Sequence, residues 1–387
     1  MDLAQTLQQK LDQMKENNLY RQLRTLSAAQ EKNTVIDGKE VLLFSSNSYL
    51  GLATNSQIKK DAIGAIEKYG VASGGSRLTT GNFKLHQELE TKLGAFKKTG
   101  SATLFNCGYM ANVGTLSALC QEEEMVIFSD ALNHASIIDG CRLSKAKTVV
   151  YAHNDIADLK TKIEALRPVK GIIVTDSVFS MDGDIANLPD ILEVAKKNRL
   201  WVMTDDAHAT GVLGKTGRGI TEHFGLESGD IDIMMGTLSK AVASEGGFVC
   251  GSKSLGDYLK NTARSFIFST SLAPATVASA ASALEYIDAH PEIVAQLKNN
   301  IAYLNSALNR LGIEADNESA IIPIIIGSEE AAINAFQQLF EMGIFVPCIR
   351  YPTVKKGEAR LRVTLMATHT QSELDYLVEC LQKVFLH

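Results

Sequence analysis

Two kinds of apolar run alternate through most of the chain. Apolar positions three and four apart predict helices over 57–69, 84–96 and 112–120. Between and beyond them lie short runs at 101–105, 125–128, 148–151, 171–174, 201–204, 231–235 and 247–251. Several are apolar on successive residues, as expected of strands covered by helices on both faces. The alternation predicts an α/β domain with a mostly parallel sheet. At the start, Leu3, Leu7, Leu11 and Met14 recur at helical spacing. They predict an amphipathic helix through Leu19 and Leu23, with Arg21 and Arg24 near its end. An extended stretch follows from Val41. Beyond His290-Pro291 the pattern becomes helix 293–311, strand 320–326, helix 329–342, strands near Ile344 and Arg360, and helix 371–385. Three parts are expected: an N-terminal helical and extended segment (1–45), a large α/β domain (46–285) and a small C-terminal α+β domain (286–387).

Charge and composition narrow the classes. Lys and Arg number 38 against 44 Asp and Glu, so a net −6 argues against broad binding to nucleic acid or an anionic membrane. Six cysteines without a C-x-x-C pair give neither a disulfide framework nor a zinc ribbon, and no metal is expected. The apolar run 320–326 is far shorter than the roughly 20 residues of a membrane helix. The polar N-terminus lacks a signal peptide's apolar block, so a cytoplasmic protein is expected.

Nucleotide signatures fail on context. Gly214-Lys215-Thr216 has phosphate-loop spacing, but Gly217, Arg218 and Gly219 follow where a helix should start. No G-x-G-x-x-G follows a strand. The stronger constellation is Asp205, His208 and Lys240. Asp205 closes the 201–204 run, and ligands of α/β sheets bind beyond the carboxyl ends of strands. Asp205-Asp206-Ala207-His208 could equally be a helix cap, and a loop lysine is usually a solvated charge. Lys240, however, follows Asp205 by 35 residues, about one crossover unit, and lies among small and hydroxylated residues. An imine-forming lysine and a buried carboxylate for a pyridinium nitrogen are the pair that pyridoxal phosphate requires. A phosphate cradle is available where a strand ends at Phe105 and a helix starts near Met110, with Gly108 permitting close backbone approach. His134 could stack on the cofactor ring.

Six ordered motifs carry a family resemblance. They are Ser46-Asn47-Ser48-Tyr49-Leu50-Gly51, Gly74-Gly75-Ser76-Arg77, Asn133-His134-Ala135-Ser136, Phe179-Ser180-Met181-Asp182-Gly183, Asp205-Asp206-Ala207-His208 and Thr237-Leu238-Ser239-Lys240. From about residue 20 onward the chain resembles the α-oxoamine synthases, homodimeric pyridoxal-phosphate enzymes of fold type I. The resemblance implies that Lys240 links covalently to the cofactor, Asp205 keeps its ring nitrogen protonated, His208 donates to its phenolic oxygen and His134 stacks on the ring. It implies that Gly108, Tyr109 and Thr237 hold the phosphate, with Ser269 and Thr270 reaching it from the neighbouring subunit, and that Ser180 lines the site. Asn47 and Arg362 match positions holding the amino-acid carboxylate; Arg21 and Thr353 match positions facing the acyl substrate. Ser73-Gly-Gly-Ser-Arg-Leu-Thr-Thr-Gly-Asn82 and Arg350-Tyr-Pro-Thr353 most resemble the branch that condenses L-alanine with a pimeloyl thioester, carried by CoA or a carrier protein, rather than glycine with acetyl-CoA. Cys107 departs from the family's frequent serine beside the phosphate, and Tyr351 from its frequent proline.

Overall fold

The computed structural model describes residues 2–17 and 19–385. In chain order the strands are β1 (Asn33–Ile36), β2 (Lys39–Leu43), β3 (Ser101–Phe105), β4 (Met125–Asp130), β5 (Lys147–Tyr151), β6 (Lys170–Asp176), β7 (Trp201–Asp205), β8 (Ile233–Thr237), β9 (Gly247–Gly251), β10 (Ile321–Gly327), β11 (Ile344–Phe345), β12 (Cys348–Ile349) and β13 (Ala359–Thr364). A seven-stranded sheet runs β3-β9-β8-β7-β6-β4-β5. All its pairings are parallel except the two made by β9, which lies antiparallel between β3 and β8. The fold is therefore α/β with a mostly parallel sheet, as the uninterrupted apolar runs predict.

Alternation along these strands feeds two separate cores. Leu104, Phe128, Ile173, Val202, Met234 and Phe248 point to one face. Ile127, Ile172, Met203, Ile233, Met235 and Val249 point to the other. Every residue of β4, β8 and β9 is buried, which explains why these runs carry no polar alternation. Two three-stranded sheets complete the structure: β1-β2-β11, and β10-β13-β12, in which β13 pairs antiparallel with both neighbours. The helix Pro274–Ala289 runs through position 285, and Glu292–Arg310 begins just past His290-Pro291.

Several boundaries differ from the pattern-based expectation. The N-terminal helix spans Leu3–Glu16 rather than continuing through Leu23. Asn17 caps it, and Leu19 and Tyr20 both donate their N–H groups back to the Met14 carbonyl. Leu23 is 99% exposed, so no buried face draws the helix onward, and Arg21 and Arg24 sit in irregular chain. The helix expected over 112–120 starts earlier, at Gly108, and the strand expected over 231–235 is shifted to Ile233–Thr237. Among the described residues no helix is long and apolar enough to cross a membrane.

Candidate active site

The carboxyl ends of the central strands set out the site. In the sheet register Phe105 of β3 and Thr237 of β8 both face Gly247 of β9, and Asp205 of β7 lies opposite Asp176 of β6. Gly247 is required here: a Cβ would stand 2.4 Å from the Cys107 carbonyl oxygen and 2.7 Å from the Gly108 nitrogen. Without a side chain, β9 lets the start of the helix Gly108–Leu119 settle against the end of β8. A cavity of about 210 Å³ opens there, lined among others by Gly108, His134, Asp205, His208, Thr237 and Lys240. Tyr109, Ser180 and Asp176 also line it.

Lys240 Nζ lies 2.7 Å from His208 Nε2. Desolvation destabilises the ammonium and lowers Lys240 to about 8, against the opposing pull of Asp205 and Asp176. About a tenth of the amine is therefore neutral at pH 7, far more than an ordinary lysine offers, as an amine nucleophile or base needs. His208 is held well below its ordinary value, first by burial and then by the charges of Lys240 and Arg362, so it is neutral. Asp205 accepts from Asn112 Nδ2 at 2.7 Å and from the Ala207 N–H at 2.8 Å. Asn112 is fully buried and its second amide hydrogen reaches Ser136 Oγ at 2.8 Å. Ser136 in turn lies 2.7 Å from His134 Nδ1, and its N–H also donates to that nitrogen. One amide thus fixes both the carboxylate and the imidazole.

Asp176 was not legible as a site residue. It follows the 171–174 run with nothing local to mark it, and only its register opposite Asp205 brings it into the cavity. Burial, and then the neighbouring Asp205, raise Asp176 well above the ordinary carboxylate range. Asp176 also accepts the His134 N–H at 2.8 Å, which positions the start of the helix Ala135–Leu143.

The other expected residues fall into three places. Asn47 and Arg362 sit together: both terminal guanidinium nitrogens lie 3.4 Å from Asn47 Oδ1, and Nε donates to the Ser180 carbonyl at 2.5 Å. Arg21 and Thr353 meet at 3.2 Å in a second cavity of about 570 Å³, which Arg24, Phe336, Phe345 and Arg350 also line. Ser269 and Thr270 do not line the Lys240 cavity of their own chain; Asn106 Nδ2 donates to Ser269 Oγ at 3.0 Å and to the Thr270 carbonyl. Cys107 caps the helix Gly108–Leu119, its Sγ accepting the Met110 N–H at 3.5 Å. The loop at Gly214-Lys215-Thr216 is filled internally. The Glu222 carboxylate takes the Thr216 N–H and hydroxyl and the Arg218 N–H, the groups an anion would need.

The cavity suits pyridoxal 5′-phosphate. At one end the opening N–H groups of the helix Gly108–Leu119 form an anion cradle beside the Thr237 and Ser239 hydroxyls. A Cβ at Gly108 would press on Met235 Cε at 3.1 Å and on Thr237 at 3.4 Å, so glycine keeps this approach open. At the other end a buried carboxylate is held by two donors, and a partly neutral lysine stands on the cavity wall.

Comparison with known proteins agrees with this geometry. The family described as Aminotransferase class I and II matches residues 39–381. The chain belongs to that fold type I class of pyridoxal-phosphate transferases, and within it to the α-oxoamine synthases; its cofactor is pyridoxal 5′-phosphate. It is 50% identical over 379 residues to the 8-amino-7-oxononanoate synthase of Lysinibacillus sphaericus, covering 97% of this chain and 96% of that protein. A solved serine palmitoyltransferase carrying a PLP internal aldimine superposes with a TM-score of 0.93 at 31% identity, covering 99% of this chain and 98% of that one. The 8-amino-7-oxononanoate synthase structure from Francisella tularensis superposes with a TM-score of 0.78 at 30% identity, covering 89% and 97%.

Proposed function

We propose that the protein condenses L-alanine with a pimeloyl thioester, releasing CO2 and the free thiol and giving 8-amino-7-oxononanoate, the acyltransfer step of biotin biosynthesis. The observation that carries this reading is the convergence of Lys240, His208 and Asp205 on one cavity beside the helix Gly108–Leu119. The similarity to proteins named for this activity supports the choice within the family.

Bound pyridoxal phosphate supplies an electron sink for the pairs released when the alanine Cα–H bond breaks and when the carboxyl group leaves as CO2. Asp205 holds the proton on the ring nitrogen, its orientation fixed by Asn112 and the Ala207 N–H. Gly108, Tyr109 and Thr237 hold the phosphate, with Ser269 and Thr270 reaching it from a second copy of the chain in a homodimer. His134 covers the ring, and Ser180 borders it. Arg362 and Asn47 bind the amino-acid carboxylate and so fix which bond at Cα stands in reach of Lys240. Lys240, lowered to about 8, takes the Cα proton as a general base. Arg21 and Thr353 face the acyl chain, where the cationic Arg21 side chain suits a distal carboxylate.

The test is turnover, followed by thiol release, with alanine or glycine against pimeloyl-CoA or acetyl-CoA. Alanine with pimeloyl-CoA is the expected pair. Preference for glycine with acetyl-CoA would instead make the protein a 2-amino-3-ketobutyrate ligase. An Arg21→Ala variant with unchanged donor preference would remove Arg21 from acyl recognition.

A further inference from the structure

A continuous chain of polar side chains joins the catalytic lysine to the carboxylate-binding arginine. It runs from Lys240 Nζ to His208 Nε2 (2.7 Å), from His208 Nδ1 to the Tyr49 hydroxyl (2.6 Å), on to Asn47 Oδ1 (3.1 Å) and finally to Arg362 (3.4 Å). Tyr49 is fully buried in the middle of it.

Donor counting constrains the chain. Guanidinium groups only donate, so the oxygen of the Asn47 amide faces Arg362 and remains an acceptor for Tyr49. Burial raises Tyr49 to about 12, so its hydroxyl keeps its proton. That single proton has two buried acceptors to choose from, Asn47 Oδ1 and His208 Nδ1. If Tyr49 donates to Asn47, neutral His208 must donate from Nδ1, and Nε2 accepts from Lys240. If Tyr49 donates to His208, Nε2 carries the proton and His208 becomes a donor into the cavity. Both arrangements leave the Asn47 oxygen, the Tyr49 hydroxyl and His208 Nδ1 paired, and they differ in what Nε2 offers the cavity.

We propose that Tyr49 is a positioning residue: it sets which nitrogen of His208 carries the proton, and through Asn47 it ties that choice to Arg362. The proposal rests on the reading of the cavity as a pyridoxal-phosphate site. A free Lys240 ammonium can only donate, so it selects the first arrangement. A bound cofactor that presented its anionic phenolic oxygen to Nε2 would select the second, because such an oxygen can only accept. The Tyr49 hydroxyl therefore turns from Asn47 to His208 when the site is loaded. The other ionisable groups facing His208 are Lys240, Arg362 and His134, and the partner that Nδ1 meets is Tyr49.

Two measurements on the full protein test this. First, ¹⁵N spectra of the His208 ring, assigned with a His208→Gln variant, should place the proton on Nε2 in the holoenzyme and on Nδ1 after the cofactor is removed. The same protonated nitrogen in both forms would overturn the proposal, with no mutation involved. Second, in the Tyr49→Phe holoenzyme the pH midpoint of the bound cofactor's visible absorbance should rise by roughly one unit, because His208 no longer donates firmly. Its kcat should fall about tenfold, more than its KM for alanine rises. A Tyr49→Phe titration superimposable on wild type, with native kcat, overturns the relay alone. A wild-type protein that gains no visible absorbance with pyridoxal 5′-phosphate overturns the functional reading, and the relay with it.

Discussion

Next to Asp205 lies a second acid, Asp206, paired with a lysine from a distant helix end, and Lys97→Met is the sharpest test of how the site is held. Lys97 Nζ is 2.8 Å from Asp206 Oδ2 and 2.7 Å from the Arg218 carbonyl, and neither charged side chain has any exposed surface. The Ser177 hydroxyl donates to the other carboxylate oxygen, and the Ile220 N–H approaches Oδ2 at 3.3 Å. Methionine fills the space of the lysine stem but leaves the carboxylate buried with two donors and no counter-charge. Removing one partner of a buried pair costs about 3–5 kcal/mol. The two surviving donors put the expectation at the lower end, about 3 kcal/mol, a large part of a typical stability of about 5–15 kcal/mol. Urea denaturation should therefore show a lower midpoint with an unchanged slope. Adding Asp206→Asn should recover part of the loss, since no unpaired charge then remains. A single variant less than about 1 kcal/mol below wild type would refute the argument.

Three further outcomes follow from the site and its surroundings. Lys240→Ala should abolish the visible absorbance of bound cofactor and nearly all turnover; cycling at the native rate would remove Lys240 from the mechanism. Asp205→Asn should fold but slow hydrogen exchange at alanine Cα by about a hundredfold or more, measured by loss of deuterium from Cα-deuterated alanine in ordinary water. His153 lies 2.9 Å from both Asp130 and Asp184; burial alone would lower it, but these two carboxylates prevail and raise it to about 10. Because the folded value is raised, its stabilising contribution should be complete below about pH 6.5 and disappear as pH climbs toward 10. The stability gap between wild type and His153→Gln should close over that range, and a gap that stays constant would contradict the pairing.

The apolar runs carried the sheet because β4, β8 and β9 are buried on both faces, and burial leaves its mark residue by residue. Lys240, His208 and Asp205 were legible because each sits at a strand's carboxyl end, a position that sequence order reveals. Asp176 and Tyr49 were not, since their meaning lies in sheet register and in contacts with His208 across the fold. Lys97 was hidden for a similar reason: following a helix end and beside Lys98, it looks like part of a solvated pair until the chain brings Asp206 to it. The helix Pro274–Ala289 also escaped, because Ala and Ser on all sides give little contrast between a wet face and a dry one. The end of the first helix could not be judged from periodicity, which continues in Leu19 and Leu23 although Leu19 is only half-buried and Leu23 has no surface to receive it.

The reversed strand β9 has a consequence for how the protein is made. Among the described residues β3 pairs in the sheet with β9 alone, so the strand leading into the helix Gly108–Leu119 stays unpaired on the ribosome until Gly247–Gly251 has emerged. By then β4 to β8 are already synthesised, and the late strand slots between the oldest and the youngest of its companions. A chain truncated before Gly247 would hold most of the residues assigned to the cofactor yet lack the seam that draws them together, so the ability to bind should arrive abruptly with that one segment rather than accumulate along the polypeptide.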